Sequence, residues 1–396
     1  MKRELINILI FLFLAISFEF LFEEILFRNS IPFEKMLQIN FKTLIPFFKK
    51  VTKIGGVIGH AIVFMITFLQ FPLIYIYNYS IMLMYTPYLT SITKLIHGDG
   101  RPFFEDNSLF QSCSGGFGNP SGHSLCSTGC YLAFAKLFID YYNLKGGKKV
   151  GAYSCALLVI ILINFSRLIL GLHAIDQVIY GDIFGFLLYY LLFHVLHLND
   201  RDAKEFFQNF IDVKHTIKEL IFWTLCFATL IICWMIFPLM DVSVLNRYEE
   251  IVYRLCPNFP QYDLLTNECI FEALTIFAYL GMYAGLFMLS TLCSQKYPGK
   301  YEEINFFNKN NKNPFSKYIL LGVNIFPFIL YWIIPSDASL KFIYSLKVAI
   351  PLLVFAFLSF GLDMYYYIKF GYANQDIYEN NKKSLEDENI YNNLED

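Results

Sequence analysis

No feature limits the fold of this chain more than its succession of long apolar segments. They stand near 5–22, 58–77, 79–97, 121–141, 150–171, 177–197, 219–240, 271–291, 317–335 and 344–369. Each is close to the roughly twenty residues a helix needs to cross the hydrocarbon of a bilayer. Inside lipid every backbone N–H and C=O must be paired within the protein, and apolar stretches of this length achieve that as helices. The expected fold class is all-α: a polytopic transmembrane helical bundle of about ten spans. Composition agrees, because 56% of the 396 residues are hydrophobic and only 16% charged, which is too apolar for an ordinary soluble domain.

The runs divide the chain into an N-terminal anchor with an interfacial segment (1–57), a core (58–198), additional C-terminal transmembrane helices (199–370) and a polar tail (371–396) expected to be disordered. Met1-Lys2-Arg3 before an apolar stretch also fits a signal sequence. No small-x-small cleavage site follows, which favours an uncleaved anchor. Residues 31–53 read as one amphipathic helix at the headgroups. Pro72 and Pro87 fall inside spans and are expected to kink them, since neighbouring helices satisfy freed carbonyls.

Loop charge sets the orientation. One side holds twelve basic residues, among them Lys145, Lys148, Lys149, Lys204 and Lys300, while the other holds Arg101, Arg247, Arg254 and Lys341, with Arg28, Lys35, Lys42, Lys49, Lys50 and Lys53 of the interfacial segment falling on that second side against the trend. Lys and Arg accumulate in the cytoplasm, so the second side is lumenal or extracellular. The membrane is the endoplasmic reticulum or another endomembrane, with the plasma membrane as the alternative. Cys256 and Cys269 share a loop on that side, and an oxidising lumen permits a bridge between them; Cys113 and the other six cysteines read as small intramembrane hydrophobes. Asn78-Tyr79-Ser80 is a glycosylation sequon in a tight cytoplasmic turn and is expected to be unmodified. A net charge of −2 gives no footprint for nucleic acid, and no P-loop or zinc spacing occurs. No cofactor and no metal are expected. The sequence shows no oligomer interface.

Three short fragments carry the chemistry: Lys94 followed by Arg101-Pro102, then Pro120-Ser121-Gly122-His123, then Ser166-Arg167 with His173, Asp176 and Gln177. A phosphoryl group in transfer spreads charge over its oxygens and needs fixed cations and oriented donors. Lys94, Arg101 and Arg167 supply the cations, Arg as a bidentate fork and Lys as a point charge. Ser121 and Gly122 open a helix, whose N-terminal N–H groups favour an anion. A neutral His173 is a competent nucleophile once its second nitrogen is held. Gln177 at i+4 or Asp176 at i+3 is placed to hold it. His123 then protonates the leaving alkoxide and activates water. His60, His97, His194, His197 and His215 lack such context and read as structural or interfacial, and Ser166 as a helix-end polar residue. Asp182 and Glu272 read as partnered polar residues.

These residues resemble the type 2 phosphatidate phosphatase superfamily, which includes glucose-6-phosphatases, sphingolipid phosphate phosphatases and vanadium haloperoxidases. The pattern K-x6-RP, PSGH and SR-x5-H-x3-D matches through His173, with Gln177 in place of the final Asp, over about residues 57–200. The resemblance implies a six-helix phosphatase core, metal-independent hydrolysis of a phosphate monoester, and a phosphohistidine at His173. It implies His123 as the acid and Lys94, Arg101, Ser121, Gly122 and Arg167 as phosphate ligands. A lipid phosphate (phosphatidate, lysophosphatidate or a sphingoid base phosphate) is the first choice of substrate, because the site lies at bilayer depth. A glucose-6-phosphatase-like sugar phosphatase is the alternative, and an anion-binding or transport protein without catalysis is the alternative of another class.

Overall fold

The computed structural model describes residues 2–196 apart from 72 and 115, scattered positions between 209 and 231, and residues 242–256, 273–296 and 341–362. Among these residues there are eleven α-helices and no strand. They are α1 (Lys2–Asn40), α2 (Ile45–Ile54), α3 (Val57–Gln70), α4 (Leu73–His97), α5 (Pro102–Glu105), α6 (Gly122–Tyr142), α7 (Gly147–Ile169), α8 (Ile175–Tyr190), α9 (Val242–Leu255), α10 (Ile276–Lys296) and α11 (Lys341–Phe357). By length and composition Gly147–Ile169 and Ile175–Val195 can cross a membrane, and Lys42–Ile54 with Val57–Phe68 form a pair bent by 47°. The expected span 317–335, most of 219–240, Cys269, Glu272, His197, His215 and the tail 371–396 lie outside the described residues.

Helices α4, α6, α7 and α8 run alternately up and down, so one end of the bundle collects the C-termini of α4 and α7 and the N-termini of α6 and α8. The chemistry-bearing fragments sit at that end. At the other end Phe71 packs on Tyr141 and Tyr142 with ring centroids 5.0 and 6.3 Å apart, an aromatic girdle of the kind found at bilayer interfaces. Exposed Lys145, Lys148 and Lys149 follow directly.

Small residues bring α6 and α8 together. A Cβ on Gly185 would run into the Leu125 carbonyl and lie 3.0 Å from the Gly129 nitrogen, so the two backbones touch as helices do in lipid when small residues line the seam. Asp182 clamps the same region: its carboxylate accepts from Thr128 Oγ1 at 2.6 Å and from Asn164 Nδ2 at 2.6 Å, tying α6, α7 and α8. Asp182→Leu leaves both donors without an acceptor and should cost about 1–2 kcal/mol of stability. A thermal-unfolding midpoint of the detergent-solubilised variant equal to that of the parent would show that the clamp is dispensable.

Three sequence expectations change. Residues 5–22 and 31–53 are not separate elements: α1 runs unbroken from 2 to 40 with Pro32 inside it, and the amphipathic helix begins only at Ile45. Pro32 does not end the helix, and the chain turns at Phe41 instead. The turn expected at Asn78 does not exist. Asn78 is buried within α4, so burial rather than sidedness keeps the sequon from a glycosylation enzyme. The break lies at Phe71, whose extended backbone (ψ 157) is the conformation favoured before a proline; Pro72 itself is outside the described residues, and Pro87 lies inside α4. Finally, Cys256 bonds Cys113, across 143 residues of sequence, rather than Cys269. The loop before α6 folds against α9, bringing the two Cα atoms to 5.9 Å.

Candidate active site

Lys94 and Arg101 leave the end of α4 and the start of α5, and both are buried. Arg101 is fixed by three donations: Nε to the Gly116 carbonyl at 2.6 Å, and Nη1 to the Leu172 carbonyl and to His173 Nε2, both at 3.0 Å. One guanidinium thus ties together the loop before α6 and the turn before α8. Ser121 caps α6, its hydroxyl accepting from the Ser124 backbone N–H at 3.4 Å and hydroxyl at 2.9 Å. A Cβ on Gly122 would lie 3.7 Å from Lys94 Nζ, which puts that ammonium beside the first N–H groups of α6. Both the ammonium and the helix start are suited to an anion.

His173 lies in the turn between α7 and α8, 1% exposed. Its Nδ1 is 2.7 Å from the Gly118 carbonyl. A carbonyl oxygen only accepts, so Nδ1 carries the proton; a guanidinium only donates, so Nε2 presents its lone pair to Arg101. The neutral ring is also what burial dictates, reinforced by Arg101, Arg167 and Lys94, which together hold His173 well below the ordinary histidine range. His123 acts on the same ring electrostatically. The geometry therefore brings Lys94, Arg101, His123, Arg167 and His173 around one centre.

Gln177 and Asp176 do not hold His173 as the sequence suggested, because both ring nitrogens are already taken by Gly118 and Arg101. Gln177 instead donates to the Gly100 carbonyl at 2.9 Å and accepts from the Ala174 N–H at 3.3 Å, while its own carbonyl accepts from Ser121 N at 2.9 Å. It is the knot that ties the three fragments together. Asp176 is buried in the first turn of α8, where a carboxylate complements the helix dipole. Ser166 returns its hydroxyl to the Ile163 carbonyl at 2.6 Å.

A fourth fragment, which no motif marks, completes the site. Arg167 Nη1 donates to Thr52 Oγ1 at 2.7 Å, and a Cβ on Gly55 or Gly56 would lie 3.3 Å from the His123 ring. The paired glycines between two apolar runs were the visible signal of a close approach; Thr52 carried none. Asn119 adds a bridge from the same end, its Nδ2 donating to Glu19 of α1 at 2.5 Å and to Asp99 at 2.9 Å. Burial pushes the Asp99 carboxyl up, and the bond from Asn119 opposes it. Lys35 of α1 pairs with Asp106 and, with Ser108, holds that carboxyl down at about 2. On the outer side Tyr248 of α9 stacks on Phe104 at 4.7 Å.

Among the described residues no group of three or more His, Cys, Asp or Glu could hold a metal ion. Residues 74–201 match the family model described as PAP2 superfamily. No curated protein matches the chain. Among solved structures it is similar to the "first transmembrane PAP2 type phosphatidylglycerolphosphate phosphatase from Bacillus subtilis", at 20% identity and a TM-score of 0.43, over 51% of this chain and 99% of that one.

Proposed function

We propose that this chain, whose residues 74–201 match the PAP2 superfamily model, is an integral membrane phosphatase that hydrolyses lipid phosphate monoesters through a phosphohistidine at His173. The observation that carries this reading is the His173 ring, with Nδ1–H on the Gly118 carbonyl and the Nε2 lone pair facing Arg101. A site that only binds an anion has no use for an imidazole held neutral in one tautomer. The phosphate of the substrate draws Arg101, Lys94 and Arg167 to its oxygens and frees Nε2. Nε2 attacks phosphorus, the P–O ester bond breaks, and the departing alkoxide takes the proton of His123. Water then attacks the phosphorus while His123 removes its proton; the P–N bond breaks, its electron pair returns to Nε2, and inorganic phosphate leaves.

Two features support a lipid substrate on the lumenal or extracellular face. The site lies at one end of the bundle, beside the bent α2–α3 pair, whose Thr52 meets Arg167. The Cys113–Cys256 bond lies at that end too, and disulfides persist in oxidising compartments. A sugar phosphatase of the glucose-6-phosphatase kind is the second reading, favoured by Gln177 where most of the family has Asp. The test is phosphate release by purified protein in EDTA from phosphatidate in mixed micelles, set beside a sphingoid base phosphate and glucose 6-phosphate. Lipid phosphates should turn over with EDTA present; loss of activity in EDTA, or turnover of the sugar phosphate alone, overturns the reading.

Gly118→Ala probes the support behind the ring. The added methyl would run into the Gly100 carbonyl and sit 2.6 Å from Gln177 Nε2, so the loop must move and take its carbonyl with it. A displacement of about 1 Å in such a support costs on the order of a hundredfold in rate. The expected result is that fall in kcat together with a lowered thermal midpoint, since the clash is with backbone; a kcat equal to the parent's would mean that the loop carries slack.

A further inference from the structure

The ten-residue helix α2 has two faces that belong to different surroundings. Inward, Phe48 and Val51 are buried, with Phe48 against Phe165 at 5.6 Å. At its C-terminal end Thr52 accepts from Arg167, and Gly55–Gly56 press on the His123 ring. Outward it exposes Lys49, Lys50 and Lys53, with Lys42 one turn ahead of the helix. No acidic residue occurs between positions 41 and 56 to balance these four charges. Beside the lysines stand exposed Phe47, Ile54, Val57 and Ile58, Val57 being 86% exposed. After the 47° bend the chain continues as apolar α3. A helix with a basic rim and aromatic and aliphatic side chains beside it lies in the plane of a bilayer surface, where each lysine near an anionic headgroup adds to binding.

The geometry points to α2 as a docking surface for anionic phospholipid headgroups at the mouth of the site, with Lys42, Lys49, Lys50 and Lys53 gathering phosphate-bearing lipids beside the cations that receive the scissile phosphate. This rests on the lipid-phosphatase reading and adds a residue set that the family motifs do not contain. The occupant is the surrounding leaflet, because charge complementarity and the adjoining apolar side chains call for a headgroup and an acyl chain together; a soluble phosphate offers only the first. Substrate is thereby concentrated within reach of Arg167 before it enters. The surface is expected to lose its effect as salt screens it.

The experiment compares the parent with Lys49→Gln/Lys50→Gln/Lys53→Gln in nanodiscs of phosphatidylcholine containing phosphatidate. Removal of one such lysine weakens attraction to an anionic surface about fivefold, so the triple variant should raise the KM for phosphatidate by at least about tenfold at low salt. It should leave hydrolysis of p-nitrophenyl phosphate unchanged, since that ester needs no membrane. An unchanged KM for phosphatidate overturns the inference, and so does an equal loss on both substrates, which would mean that the lysines only support the fold. A second readout does not depend on turnover: the phosphatidate co-purifying with His173→Ala protein, measured by lipid mass spectrometry, should fall when the three lysines are also replaced. If the parent cleaves no lipid phosphate, the functional reading fails, while this enrichment still decides for or against the docking surface.

Discussion

Replacing His173 by Asn is expected to lower kcat by about ten-thousand-fold or more, the scale on which loss of a covalent nucleophile is felt. The choice of Asn matters. Its amide can keep the donation to the Gly118 carbonyl that His173 Nδ1 makes now, so the turn before α8 retains its support while the atom facing Arg101 is gone. Phosphate release, the thermal midpoint and an acid-labile radiolabelled protein adduct are the three measurements. The adduct should vanish and the midpoint should hold. Activity within tenfold of the parent would put the nucleophile elsewhere and sink the phosphohistidine mechanism.

Arg101→Lys is expected to cost about a hundred- to thousandfold in kcat/KM, the range observed when one preorganised donor to a developing charge is removed. An ammonium keeps the charge but not the fork. Nε and Nη1 of Arg101 now serve Gly116, Leu172 and His173 simultaneously, and a lysine head at the end of a flexible stem cannot bond all three. Two buried carbonyls lose their donor, and the ring of His173 loses the contact that aims its lone pair. The inhibition constant for inorganic phosphate should rise in the same variant. A phosphate constant that stays put while kcat/KM falls would assign Arg101 to alignment of the ring alone.

How much of this was legible beforehand depended on whether the cause was local. Helices α6, α7 and α8 follow from apolar runs bounded by Ser121, Gly146 and Ala174, and lipid leaves such runs little choice. The motif cations and histidines were readable because each fragment holds its chemistry within a few residues. What stayed hidden were contacts between fragments. The carbonyl that fixes His173 belongs to Gly118, 55 residues away, and a backbone oxygen has no signature in a sequence. Asp176 and Gln177 looked like the orienting groups because helical spacing was the only geometry the sequence offered. The partner of Cys256 was misread for the same reason: Cys269 is near in sequence, whereas Cys113 is near only after α9 has packed on Phe104 and its neighbours. The long α1 shows the limit of reading boundaries from hydropathy, since Glu19, Glu34 and Gln38 interrupt the pattern yet are buried against the loops, where Gln38 donates to the Leu109 and Ile169 carbonyls.

The Cys113–Cys256 bond has a consequence for the integrity of the molecule. It fastens the polypeptide before α6 to the polypeptide after α9, so a single cut engineered between residues 197 and 241 leaves both pieces in one covalent unit. Such a nicked protein should migrate as one band on a non-reducing gel and as two once a thiol reductant is added.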